Sequence, residues 1–291
     1  MFTLPIAIAA LLALIPYLAA AFFGDRLTSS IQRLSVTFRI LAPAVLSIPY
    51  LIVASSNGML RWYWLALYIL MPMAIAAILV QVRKTDPLQQ GDWREYLILI
   101  SLGLTVDLRW FESAWPPHLA VFNKVLLLDA GIYGFLMLRE LDGIGFDLRL
   151  KWRDLRIGFQ EFLFYTPMAL LVGLSIGFLH AHAVMPSLLQ FSSAYAFTFL
   201  FIAVPEELFF RGWVQNLLER RMGRNAALIT ASVLFGLSHW NKRTVNFNWQ
   251  YVLLATLAGF FYGRSWRKDR RVGASAITHA TVDTVWSIWL R

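Results

Sequence analysis

Three short stretches hold residue types that do hydrolytic chemistry: Pro205-Glu206-Glu207-Leu208-Phe209-Phe210-Arg211-Gly212, Phe235-Gly236-Leu237-Ser238-His239 and His279-Ala280-Thr281-Val282-Asp283. Each lies in or beside an apolar run, where an ionisable side chain costs a few kcal/mol unless it faces protein or water, and so is functional by default. Helical geometry sorts the first stretch. Glu207 and Arg211 are four apart, share a face and can pair. Glu206 is turned about 100° from Glu207, so one carboxylate can be neutralised by the arginine while the other points elsewhere. Desolvated there, Glu206 suits the role of a general base. Pro205 lacks an N–H, frees the carbonyl of Phe201 and favours a kink just ahead of the carboxylates. The plainer alternative is that both glutamates pair with Arg211 and only hold helices together.

Phe235 and His239 share a helical face, as do His279 and Asp283. A lone histidine on an apolar helix is more often a packed core residue than a catalytic one. Two histidines and a carboxylate pair on three separate segments change that weighing. Glu206, His239 and His279 supply a base, a second base or acid, and a further donor. Such a set can activate a water and stabilise an oxyanion, which is what attack on an amide or ester carbonyl needs. Other hydrolytic patterns do not occur. There is no HExxH, Gly236-Leu237-Ser238-His239 lacks the second glycine of GxSG, and Gly143-Ile144-Gly145-Phe146-Asp147 is not GxGD. The chain has no cysteine, which removes thiolate nucleophiles, thiolate metal ligands and disulfides together.

The elements that must position these residues are membrane helices. Of the 291 residues 58% are hydrophobic and 15% charged, with a mean hydropathy of +0.59; a soluble domain is nearer half apolar and a quarter charged. Apolar runs fall near 2–23, 36–54, 62–82, 96–106, 119–138, 157–179, 193–217, 226–240, 249–263 and 273–290. A full span needs about 20 residues, and the fourth and eighth runs are short. None alternates with the period of a barrel strand. The reading is an all-α, polytopic helical membrane protein with about eight to ten transmembrane helices. The first run lacks the cationic start of a signal peptide and reads as a helix that is retained.

The net charge of +9 sits in short loops, so topology explains it and nucleic acid is not expected as a partner. Taking alternate loops as cytoplasmic from 24–35 onward collects 18 of the 26 cations. The opposite loops, with Arg243 and the terminal Arg291, hold 5. That imbalance places both termini outside the cytoplasm. The basic loop 143–156 reads as a positive-inside anchor. It divides an N-terminal transmembrane region, 1–156, from a C-terminal domain, 157–291, that is rich in buried polar groups. Elsewhere, Lys124 and Asp129 share a span and can pair or mark a helix interface. Glu161, near the start of its span, can snorkel to the surface. His180 and His182 flank a neutral outer loop.

Glu206-Glu207-x-x-x-Arg211, Phe235-x-x-x-His239 and His279-x-x-x-Asp283, in that order on late helices, resemble the three motifs of the CPBP family. This family comprises CAAX-type prenyl endopeptidases and bacteriocin-processing or self-immunity membrane proteins, and is also called Abi. The resemblance covers about residues 157–290. It implies a glutamate-type intramembrane endopeptidase acting on a membrane-associated protein or peptide, multi-pass in the cell inner or plasma membrane. Glu206 and His239 would activate the water; His279, with Asp283 beside it, would stabilise the tetrahedral intermediate. Glu207, Arg211 and Phe235 would support them. The third motif often ends in Asn, which can donate to an oxyanion where an ionised Asp cannot; here Asp283 could instead orient His279. The glutamate route needs no metal. The alternative is a zinc held by Glu206, His239 and His279 with water fourth. Two other functions fit the same residues: a non-catalytic immunity or scaffold protein of the same family, and a proton-coupled transporter.

Overall fold

The computed structural model describes residues 3–242 and 246–290; Arg243 and Arg291, counted among the outer cations, lie outside the described residues. Each of the ten apolar runs is helical, and among the described residues there is no strand. The chain forms two compact units, Met1–Asp142 and Gly143–Arg291. The loop that follows Asp142 is therefore part of the second unit.

The first unit contains α1 (Leu4–Gln32), α2 (Val36–Ser56), α3 (Trp62–Thr85), α4 (Trp93–Asp107) and α5 (Val121–Leu138). The buried face of α1 is mostly alanine (Ala9, Ala13, Ala20, Ala21) with Tyr17 among them, the small-residue pattern that lets membrane helices approach closely. Its axis departs from helical geometry at Phe23. Asp92 caps α4, and the Glu95 side chain returns to the Asp92 N–H at 2.7 Å, so two orphan donors are satisfied at once. Tyr50, Tyr68 and Trp115 form a buried aromatic cluster. Within it Trp115 Nε1 donates to Tyr68 Oη at 2.7 Å and Tyr68 to Asn123 Oδ1 at 2.9 Å.

The second unit contains α6 (Trp152–Ser175), α7 (Leu188–Met222), α8 (Arg224–Leu237), α9 (Trp249–Asp269) and α10 (Val272–Trp289). Every residue of α10 from Val272 to Thr281 is buried, and this helix packs on α6, α7 and α9. The N-terminal half of α10 is built from small residues, so neighbouring backbones can come close. The α8–α9 contact is also close: a Cβ on Gly236 would stand 1.9 Å from Thr256 Oγ1. The loop 143–151 is stitched to the corner between α9 and α10. Val272 N–H donates to Gly145 O at 2.9 Å and Trp266 Nε1 to Ile144 O at 3.1 Å, while Arg271 reaches Asp154 at 2.8 Å and Asp147 at 3.3 Å. Gly145 has φ +71° and lies against the Arg270 backbone, where no Cβ would fit.

The fold is that of a polytopic helical membrane protein. Against the expected eight to ten crossings, six helices among the described residues are both long and apolar enough to span: α1, α2, α3, α5, α6 and α7. α4, at 15 residues, and α8, at 14, are short, and the C-terminal turn of α9 is cationic. Two local expectations change and one takes a specific form. α7 runs from Leu188 to Met222 through Pro205, and the helix is distorted on either side of it into π-helical turns at Phe199–Ala203 and Leu208–Gln215; such widened turns absorb a missing donor without ending a helix. Lys124 and Asp129 do not pair. Five residues place them about 140° apart, and both Asp129 carboxylate oxygens are buried with no hydrogen-bond partner among the described residues. Glu161 does not snorkel. It is fully buried and bridges Lys268 at 2.9 Å and Arg264 at 3.3 Å.

Candidate active site

The site is assembled by α7, α8, α9 and α10. Glu206, Glu207 and Arg211 come from the π-flanked middle of α7. The pair expected from their spacing is present, with Arg211 Nε 3.0 Å from Glu207 Oε2 and both side chains fully buried. Glu207 does more than neutralise the arginine. Its Oε1 lies 2.8 Å from His279 Nδ1, and its Oε2 accepts a hydrogen bond from Ser275 Oγ. Three partners from two helices therefore fix this carboxylate. The Arg211 guanidinium stands 5.3 Å from the centre of the Phe235 ring, and its two terminal nitrogens have no hydrogen-bond partner among the described residues.

Glu206 faces differently. Its side chain is 30% exposed and its Oε2 lies 3.9 Å from His279 Nε2. Asp283, also 30% exposed, approaches the same nitrogen at 3.4 Å. His279 is thus held at Nδ1 by a buried carboxylate and presents Nε2 to two that are part-exposed. Tyr262 stacks on its ring at a centroid distance of 4.5 Å.

His239 follows the end of α8. Its Nδ1 is 2.9 Å from the Phe235 carbonyl and 3.2 Å from Ser238 Oγ. Donation from Nδ1 to that carbonyl selects the tautomer whose Nε2 carries the lone pair. Phe235 stands between the two imidazoles, 4.9 Å from His239 and 5.6 Å from His279 by ring centres. Phe235, His239, His279 and Asp283 line one cavity of about 80 Å³, with apolar side chains such as Tyr165 and Trp286 along it. That is room for several waters. Glu206 lies outside this wall and meets the site through His279.

Both histidines have Nδ1 tied to an acceptor, which is how metal-binding imidazoles are commonly oriented. Among the described residues no three His, Asp or Glu side chains converge in a way that could hold a metal ion. The proposed set of Glu206, His239 and His279 is no exception, and Nε2 of His279 already faces two carboxylates.

Sequence reasoning brought the seven expected residues onto one site but missed Ser275 and Tyr262. Ser275 is four residues before His279 on a helix otherwise lined with small residues, so its shared face was available as a signal. Tyr262 had none, because ring stacking across helices leaves no mark in spacing.

All three motifs fall within residues 186–285, which match the family model described as type II CAAX prenyl endopeptidase, Rce1-like. The segment carrying the site, about a third of the chain, is thus similar to the CAAX-protease family, as its motifs indicate. Searches of curated proteins and of solved structures return no match. The molecule is a multi-pass integral membrane protein whose last four helices carry the segment similar to the CAAX-protease family.

Proposed function

We propose that this protein is a glutamate-type intramembrane endopeptidase that hydrolyses a peptide bond of a membrane-associated protein or peptide, in the cell inner or plasma membrane. The observation that carries the reading is the unequal placement of two adjacent carboxylates. Glu207 is buried and held by Arg211, Ser275 and His279; Glu206 is part-exposed beside His279 Nε2.

In this reading Glu206, helped by the Nε2 lone pair of His239, takes a proton from a water. The hydroxide adds to the scissile carbonyl, and the oxyanion is met by the Nε2 proton of His279, which in its doubly protonated form also donates to Glu207 from Nδ1. Collapse breaks the C–N bond, and the proton held by Glu206 passes to the leaving amine. Asp283 acts as a positioning residue, since at 3.4 Å it can fix the His279 ring. No metal takes part. The competing family reading, a non-catalytic immunity or scaffold protein, draws on the same aspartate: an ionised carboxylate near Nε2 disfavours an oxyanion there.

Protein termini in membrane and secreted fractions test this directly. Cells carrying Glu206→Gln should lose a set of cleavage products that wild-type cells show, corresponding to a rate loss of about 10²–10⁴; retention of every product, or of a biological effect without cleavage, would favour the non-catalytic reading. Treatment of active protein with a strong chelator should leave cleavage intact, whereas its loss and rescue by zinc would restore the metal alternative.

A further inference from the structure

A second feature of the C-terminal unit lies apart from the motif residues. Where the start of α8 meets the end of α9, Arg224, Arg264, Arg267 and Lys268 surround a groove of about 680 Å³ whose floor is Leu228, Ile229 and Phe260. The cations exceed the carboxylates that face them. Glu161 serves both Lys268 and Arg264. Glu219 serves Arg270 at 2.6 Å and Arg267 only at 3.7 Å. Arg267 also donates to Asn225 Oδ1 at 3.1 Å, and Arg224 has no ion pair among the described residues. Four cations thus share two carboxylates, and Arg224 adds a fifth charge.

An ordinary positive-inside anchor explains cations in the loops but not their convergence on an apolar floor. The floor continues as a stripe. Ile229, Val233 and Leu237 are exposed at successive helical turns of α8, running about 12 Å away from the cations. An anionic head at one end and an apolar track leading from it outline one kind of molecule.

We propose that this groove binds an anionic phospholipid, its phosphate among Arg224, Arg264, Arg267 and Lys268 and an acyl chain along Ile229, Val233 and Leu237. A free phosphate would use the cations and leave the stripe idle. The inference rests on the membrane fold and not on the protease reading, so either can fail without the other.

The test uses the full chain purified in a neutral detergent, with phosphatidylglycerol and phosphatidylcholine of identical acyl chains, read by native mass spectrometry and thermal midpoint. Wild type should bind and be stabilised by phosphatidylglycerol in preference to phosphatidylcholine. The double variant R224Q/K268Q should weaken phosphatidylglycerol binding about thirtyfold, roughly fivefold per cation, with phosphatidylcholine binding unchanged. Ile229→Ser should weaken both lipids while leaving the preference. A control, Arg149→Gln, removes a cation outside the groove and should change nothing. Equal binding of the two lipids by wild type overturns the proposal. So does equal loss in the control, which marks diffuse surface charge, and so does full competition by inorganic phosphate, which marks a free-anion site. If R224Q/K268Q fails to fold, Ile229→Ser with the phosphate competition still decides between these outcomes.

Discussion

Each unit of the molecule has a buried arginine on carboxylates, and the two centres differ in what surrounds them. In the N-terminal unit Arg139 lies 2.7 Å from Glu95 and 2.9 Å from Asp86. The second oxygen of Glu95 accepts from the Asp92 N–H, and Asp86 accepts from the N–H groups of Gln90 and Gly91. Every partner in that centre is satisfied, so the network is closed and serves to lock the α3–α4 connection to the end of α5. In the C-terminal unit Arg211 and Glu207 are equally buried, but the network opens outward through His279 to Glu206 and Asp283, each part-exposed. A buried ion pair alone does not mark a site; a buried pair that holds a titratable ring against part-exposed carboxylates does.

Removing the two arginines separates the centres most strongly. Arg139→Ala and Arg211→Ala each leave a buried carboxylate uncompensated and should each cost about 3–5 kcal/mol, measured by thermal or denaturant unfolding in detergent. Cleavage per folded molecule should separate them, unchanged for Arg139→Ala and reduced for Arg211→Ala. Equal effects on cleavage would mean that the closed centre is also part of the site.

A smaller effect tests the loop that carries the C-terminal unit's α9–α10 corner. Burial pushes the Asp147 carboxyl up, but Arg149 and Arg271 outweigh it and hold it at about 2, below its ordinary 3.8. Its folded value is depressed, so its contribution is present above about pH 4 and is lost as pH falls toward 2. The contribution is at most about 2 kcal/mol and is reduced by solvent screening. Asp147→Asn should flatten the stability profile in that acid window, lowering stability near neutrality by that contribution and leaving it unchanged near pH 2.

Much of this was legible in the sequence. The ten helices follow from apolar runs, and the Glu207–Arg211 pair follows from a spacing of four. The role of Glu207 at His279 was not legible, because its partner is 72 residues away on α10 and only packing brings them together. Pro205 marked the distorted stretch of α7, but the form of the distortion, π turns on either side, has no signal in the proline alone. Glu161 misled because its neighbours Arg264 and Lys268 belong to α9, and a span start can be buried as easily as exposed. The fate of Lys124 and Asp129 was calculable, since a spacing of five turns side chains apart.

The central claim is that adjacent glutamates divide the work, Glu206 in the chemistry and Glu207 in the structure. The most direct measurement compares Glu206→Gln with Glu207→Gln in purified protein, reading thermal midpoint and substrate cleavage on the same samples. The account predicts that Glu206→Gln keeps the wild-type midpoint and loses cleavage, while Glu207→Gln loses about 3 kcal/mol of stability by stranding Arg211. A folded Glu206→Gln protein that cleaves at the wild-type rate would contradict it.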